Sequence, residues 1–158
     1  MIIADSSALV ALSSCQSLWV LNKLFDEIKV PTAVFNEIII PGKPQAHALR
    51  IYLEDKIVSV DLKAYKIKKK AGLGRGELEA IALYMHLSAD LLLVDDAKAR
   101  QVAQFNNIDV IGSLGILLLA KQHNMLDEIK PLIKLLRASG IYISDSIINH
   151  VLVLANEN

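Results

Sequence analysis

Five short β-prone runs, Ile2 to Ala4, Glu27 to Pro31, Ile57 to Val60, Leu91 to Val94 and Ile108 to Ile111, are separated by longer stretches whose apolar residues recur at helical spacing. A strand followed by a helix-length crossover returns to the sheet parallel to its predecessor, whereas an antiparallel partner needs only a short hairpin. The runs are also nearly continuous in apolar character, as strands covered on both faces must be. The expected class is therefore α/β, a five-stranded parallel sheet with helices on both faces. Helices are expected from Ser6 or Ser7 to about Phe25, then over Thr32 to Ile40, Gln45 to Asp55, Glu77 to Leu87, Ala97 to Phe105, Ser113 to His123, Met125 to Ser139 and Ser144 to Ala155. Pro131 is expected to kink the seventh of these, and Gly72, Gly74 and Gly76 to form a turn. With 158 residues and no repeat or linker, the chain reads as one domain over 1–158, its C-terminal helices (125–156) packing on it or at a dimer interface.

In parallel sheets the functional crevice lies beyond the carboxyl ends of the strands, where the connections part to opposite faces. Asp5 ends the first strand, and Asp95 and Asp96 end the fourth. If those strands are neighbours, their carboxylates converge. Glu37, in the helix after the second strand, and Glu77 or Glu79, opening the helix before the fourth, can project into the same space. Carboxylates gathered in one place repel and raise one another's pKa values unless a cation neutralises them. A hard divalent ion, Mg²⁺ or Mn²⁺, suits an all-oxygen set and keeps waters for chemistry. The four histidines show no zinc-ligand spacing, and there is no phosphate-binding glycine loop or nucleophile elbow. An aspartyl-phosphate enzyme would place a second aspartate two residues after Asp5, where Ser7 stands.

Charge balance adds a second constraint, since 17 basic residues match 17 acidic ones and leave no global field for nucleic acid. Binding must be local. Lys63, Lys66, Lys68, Lys69, Lys70 and Arg75 form the one basic concentration, directly before the acidic helix, with Lys98 and Arg100 following the aspartate pair. Aromatics make up only 5%, which argues against a base-stacking platform. The single cysteine, Cys15, excludes an internal disulfide and reads as a buried thiol. No apolar stretch nears the roughly 20 residues of a membrane span, and no leader pattern opens the chain, so a cytoplasmic location is expected.

The segments I-I-A-D-S-S-A-L-V-A-L at 2–12, V-P-T-A-V-F-N-E-I at 30–38, G-R-G-E-L-E-A-I-A-L at 74–83, L-L-L-V-D-D-A-K-A-R at 91–100 and D-V-I-G-S-L-G-I-L at 109–117 resemble the PIN domain, in its VapC-like prokaryotic branch. The resemblance spans the chain and implies a Rossmann-like three-layer sandwich with the first and fourth strands adjacent. It implies a Mg²⁺- or Mn²⁺-dependent endoribonuclease, in many members the toxin of a toxin–antitoxin pair and commonly a homodimer. Position by position, Asp5 matches the first acid, Ser7 its supporting polar residue, Glu37 the second acid, and Asp96 the acid of a T-x-D pattern in which Val94 replaces threonine. Glu77 is the better match to the third acid, with Glu79 its rival and Asp95 an additional carboxylate. Lys69, Lys70, Arg75, Lys98 and Arg100 become the candidates for RNA contact. The alternative class is a PIN-like binding or scaffold protein without turnover.

Overall fold

The computed structural model describes residues 1–158. Strands β1 (Ile2–Ala4), β2 (Ile28–Pro31), β3 (Ile57–Val58), β4 (Leu91–Leu93) and β5 (Val110–Ile111) form one parallel sheet in the order β3-β2-β1-β4-β5. β1 is therefore central. Its three residues are fully buried, with Ile2 and Ala4 facing one apolar layer and Ile3 the other, as the period-two alternation of a strand requires.

The first layer gathers α1 (Ser6–Ser14), α2 (Trp19–Leu24), α3 (Thr32–Ile38), α4 (Ala46–Leu53), α7 (Ser113–Gln122), α8 (Lys130–Ala138) and α9 (Asp145–Leu154). On the opposite face lie α5 (Arg75–Leu87) and α6 (Ala97–Phe105). α3 belongs to the first layer through Val34 and Ile38, yet it also reaches across the sheet rim to touch α5. No helix is long and apolar enough to cross a membrane.

Three local expectations need correction. The helix expected to run unbroken from Ser6 to Phe25 is two helices, because Gln16 adopts a left-handed conformation (φ 55°) and the buried Ser17 hydroxyl donates to the Cys15 carbonyl at 3.0 Å. Both pieces face the same layer, so the apolar period runs on through the break. The helix expected from Met125 begins at Lys130, and Pro131 sits in its first turn, where the missing N–H costs no hydrogen bond and produces no kink. Gly74 and Gly76 do not belong to a turn: Gly74 caps α5 and Gly76 lies within its first turn, leaving only Gly72, at φ +86°, in the turn.

Two carboxylates fasten the C-terminal helices, Asp145 by accepting from Arg137 and Glu157 from the other end. Glu157 accepts from the Ile129 amide at 2.9 Å, the Lys130 amide at 3.0 Å and Lys121 Nζ at 2.9 Å. Burial pushes its pKa up, but these donors outweigh that and hold it below the ordinary glutamate value. Removing it orphans two amides at the start of α8. Glu157→Ala is expected to lower stability by about 2 kcal/mol, seen as a lower urea midpoint with an unchanged slope.

Candidate active site at the β1–β4 rim

β1 and β4 pair in register, Ala4 opposite Leu93, and the Asp5 amide continues the ladder by donating to the Leu93 carbonyl at 2.9 Å. Asp5 thus leaves the sheet one residue beyond its most buried pair, at the point where connections on either side diverge. Its backbone is extended and forms the N-cap of α1, yet its side chain makes no capping hydrogen bond. Asp5 is only 3% exposed, and its Oδ1 is buried with no hydrogen-bond partner. A buried polar atom left without a partner costs about 1–3 kcal/mol, so this is an expensive place for a carboxylate.

Asp95 and Asp96 part company at the end of β4. Asp96 caps α6, its Oδ2 accepting from the Ala99 amide at 2.9 Å, and remains exposed on the same rim as Asp5. Asp95 turns toward α7 instead, accepting from the Ser113 amide and the Ser113 hydroxyl, each at 2.7 Å. Gly112 permits that approach, since a Cβ there would lie 2.9 Å from Asp95 Oδ1 and 2.8 Å from Arg100 Nη1. The two neighbouring aspartates therefore cap two different helices.

Helices α3 and α5 bring the glutamates. Glu37 is exposed and accepts from Ser6 Oγ at 3.4 Å. Its other oxygen lies 2.8 Å from where a Cβ on Gly76 would stand, so the absence of a side chain at 76 leaves room for the carboxylate against α5. Glu77 is half-buried in the first turn of α5. Glu79, two residues on, faces elsewhere: it is 4% exposed, accepts from the Ala33 amide at 3.1 Å and from Arg75 Nε at 2.7 Å, and so ties α5 to the start of α3.

Electrostatics shows which carboxylates act on one another. Burial raises the Asp5 pKa from 3.8 to about 7, the Ser6 amide works against the rise, and Glu77, Glu37 and Asp96 add to it. Burial also raises Glu77, helped by Asp96 and Glu37 and opposed by the Gly74 amide and Lys98. Asp95 and Glu79 figure in neither shift, in keeping with their hydrogen bonds to Ser113 and to Ala33 and Arg75. Ser7, expected to support Asp5, is exposed and bonds to neither acid; the neighbouring Ser6 makes the contact with Glu37. Ser6 and Gly76 were not legible as site residues, although a glycine inside a helical first turn does signal close approach.

Among the cations, Lys98 lies against Gly72, and its charge opposes the rise in the Glu77 pKa. Arg75 pairs through Nε with Glu79 while its side chain stays largely exposed, and Arg100 donates to the Val94 carbonyl at 3.3 Å. Glu37 lines two open clefts, one of about 660 Å³ shared with Asn36 and Arg75 and one of about 390 Å³ shared with Ser6, Lys43 and Asp95.

The orphaned Asp5 oxygen and the all-carboxylate surroundings fit a hard divalent cation. No three His, Cys, Asp or Glu side chains are drawn together as a ready-made cage. That suits an ion such as Mg²⁺, which is commonly held by one or two carboxylates and its own waters. A family model described as "DUF3368: PIN domain" matches residues 1–157. No curated protein matches the chain.

The raised Asp5 pKa makes stability depend on pH. Between about pH 4 and pH 7 the folded state holds a proton that the unfolded state has released, so stability falls as pH rises through that window and the loss is complete above it. The size, from a pKa near 7 against 3.8, is on the order of 4 kcal/mol. Asp5→Asn keeps the shape without the charge. In chelator at pH 8 it is expected to melt higher than the wild type, and its melting temperature should change less between pH 4 and pH 7.

Proposed function

Since the chain belongs to the PIN-domain family, whose members are generally nucleases, we propose that it is a Mg²⁺- or Mn²⁺-dependent endoribonuclease with Asp5, Glu37, Glu77 and Asp96 as its catalytic carboxylates. The observation that carries this reading is the buried Asp5 Oδ1, which has no hydrogen-bond partner, with three further acids close enough to raise the Asp5 pKa. Such a site is destabilising by itself and is sensible only if a cation completes it. A bound Mg²⁺ or Mn²⁺ would supply charge neutralisation at a phosphodiester and a water of lowered pKa.

The residues divide the remaining work. Asp5 must lose its proton before it can serve as a ligand, so binding of the ion competes with protonation near neutral pH. Asp96 is fixed through the bond from the Ala99 amide to Oδ2, which leaves Oδ1 for the rim. Ser6 and the bare backbone at Gly76 hold Glu37 from two sides. Lys98, whose charge reaches Glu77, offers a positive charge to an RNA phosphate at the edge of the acids. A toxin role with a cognate antitoxin, in a VapC-like branch, and a homodimeric assembly are part of this proposal. Exposed Tyr142, Ile147, Val153 and Leu154 along the C-terminal segment supply apolar surface for a partner.

The alternative is a PIN-like binding protein without turnover. Incubating the purified protein with mixed single-stranded RNA separates the two. Cleavage is expected with Mn²⁺ and not with chelator, and Asp5→Asn should reduce it by more than the roughly 100-fold typical of outer-shell changes. Activity that survives both treatments removes the site, and RNA left intact by the wild type in Mn²⁺ favours the binding protein. Gly76→Ala gives a finer test. The new methyl displaces the flexible end of Glu37, so activity should fall by about 10- to 100-fold, while the melting temperature holds or rises because alanine favours the helix.

A further inference from the structure

The lysine-rich segment before α5 is held in place on the surface. Ile67 is buried in the layer beneath α6, and Asn106 clamps the next residue from both sides, its Oδ1 accepting from the Lys68 amide at 2.9 Å and its Nδ2 donating to the Lys68 carbonyl at 3.0 Å. Directly after this clamp Lys69 adopts a left-handed backbone, φ 56°, an unfavourable choice for a residue with a long side chain. The result is an ammonium 4.3 Å from the centre of the Phe105 ring. Phe105 remains 49% exposed.

The same segment then returns toward the acids. At Gly72 it meets Lys98, whose Nζ would be only 2.1 Å from a Cβ at that position, and Lys98 in turn acts on Glu77. Lys98 and Phe105 are seven residues apart in α6, so they share one face, at a separation of about 10 Å along the axis. A continuous track therefore leads from the carboxylates over Lys98 to Lys69 and Phe105. An isolated exposed phenylalanine needs no explanation. One with a lysine ammonium held over it by a strained backbone, at the end of a basic track from an acidic pocket, has the two parts of a single-strand binding site: a cation for the phosphate and a ring for the base.

We propose that Phe105 and Lys69 form a base-stacking subsite for single-stranded RNA, about 10 Å along α6 from Lys98, a span of about three stacked nucleotides. The proposal rests on the ribonuclease reading for its substrate, but binding can be read without cleavage. Fluorescence anisotropy in chelator would use labelled single-stranded RNAs from two to twelve nucleotides, with wild type, Phe105→Ala, Phe105→Trp and Lys69→Met. Phe105→Ala is expected to weaken binding of the longer strands by about tenfold, to leave the dinucleotide unaffected, and to be rescued by Phe105→Trp. Lys69→Met should reduce the slope of log affinity against log salt by about 0.7, one phosphate contact.

Longer strands that bind Phe105→Ala as tightly as wild type, or a loss that tryptophan does not restore, would overturn the subsite, as would wild-type protein that binds no RNA. Cleavage assays with Mn²⁺ keep the two ideas apart. Protein that binds through Phe105 but never cleaves keeps the subsite and loses the nuclease. Protein that cleaves and is indifferent to Phe105→Ala keeps the nuclease and loses the subsite.

Discussion

The pairing of β1 with β4 is the constraint on which everything at the rim depends. In-register pairing of Ala4 with Leu93, continued by the Asp5 amide on the Leu93 carbonyl, leaves no freedom in where residue 5 stands relative to residues 95 and 96. Because side chains alternate along a strand, a slip of one residue would exchange the faces that Ile2, Ile3 and Ala4 present to their layers. The apolar cores therefore fix the register, and the register fixes the acids. The position of a costly charge is set by the packing of uncharged residues well below it.

Around that fixed point hydrogen bonding separates the carboxylates that are fully partnered from the one that is not. Asp95, Glu79 and Glu157 each accept two or more hydrogen bonds from named donors, and each ties one element to another. Asp5 has one oxygen with no donor at all. Asp96 stands between, capping α6 with one oxygen and presenting the other. A satisfied buried carboxylate stabilises its surroundings, and an unsatisfied one weakens them. The contrast gives a physical basis for sorting residues that look alike in sequence.

Much of the fold was legible because it follows from periodicity. The runs Ile2 to Ala4 and Ala97 to Phe105 form the elements expected of them, and alternation of strand and helix leads to the parallel sheet. What periodicity cannot register is an interruption that leaves the buried face unchanged, such as the left-handed residue at Gln16 between two helices on one layer. Nor does local spacing tell Glu77 from Glu79, since both open the same helix; the Ala33 amide and Arg75, which bond to Glu79 alone, set their surroundings apart. The adjacent aspartates were likewise ambiguous until α7 supplied Ser113 for Asp95. Ser6 and Ser7 differ by the 100° between successive helical positions, which the sequence does not orient relative to Glu37. Low aromatic content was a sound statement about composition and said nothing about where a single ring would stand.

The strand order also bears on how the chain comes off a ribosome. β1 is made first but must wait for Leu91–Leu93 before its second edge is paired, so a nascent polypeptide carrying only β1, β2 and β3 has an apolar backbone ribbon open on one side. Domains assemble as units once their last essential element emerges. The carboxylates contributed by positions 5, 37, 77 and 96 cannot meet before that moment.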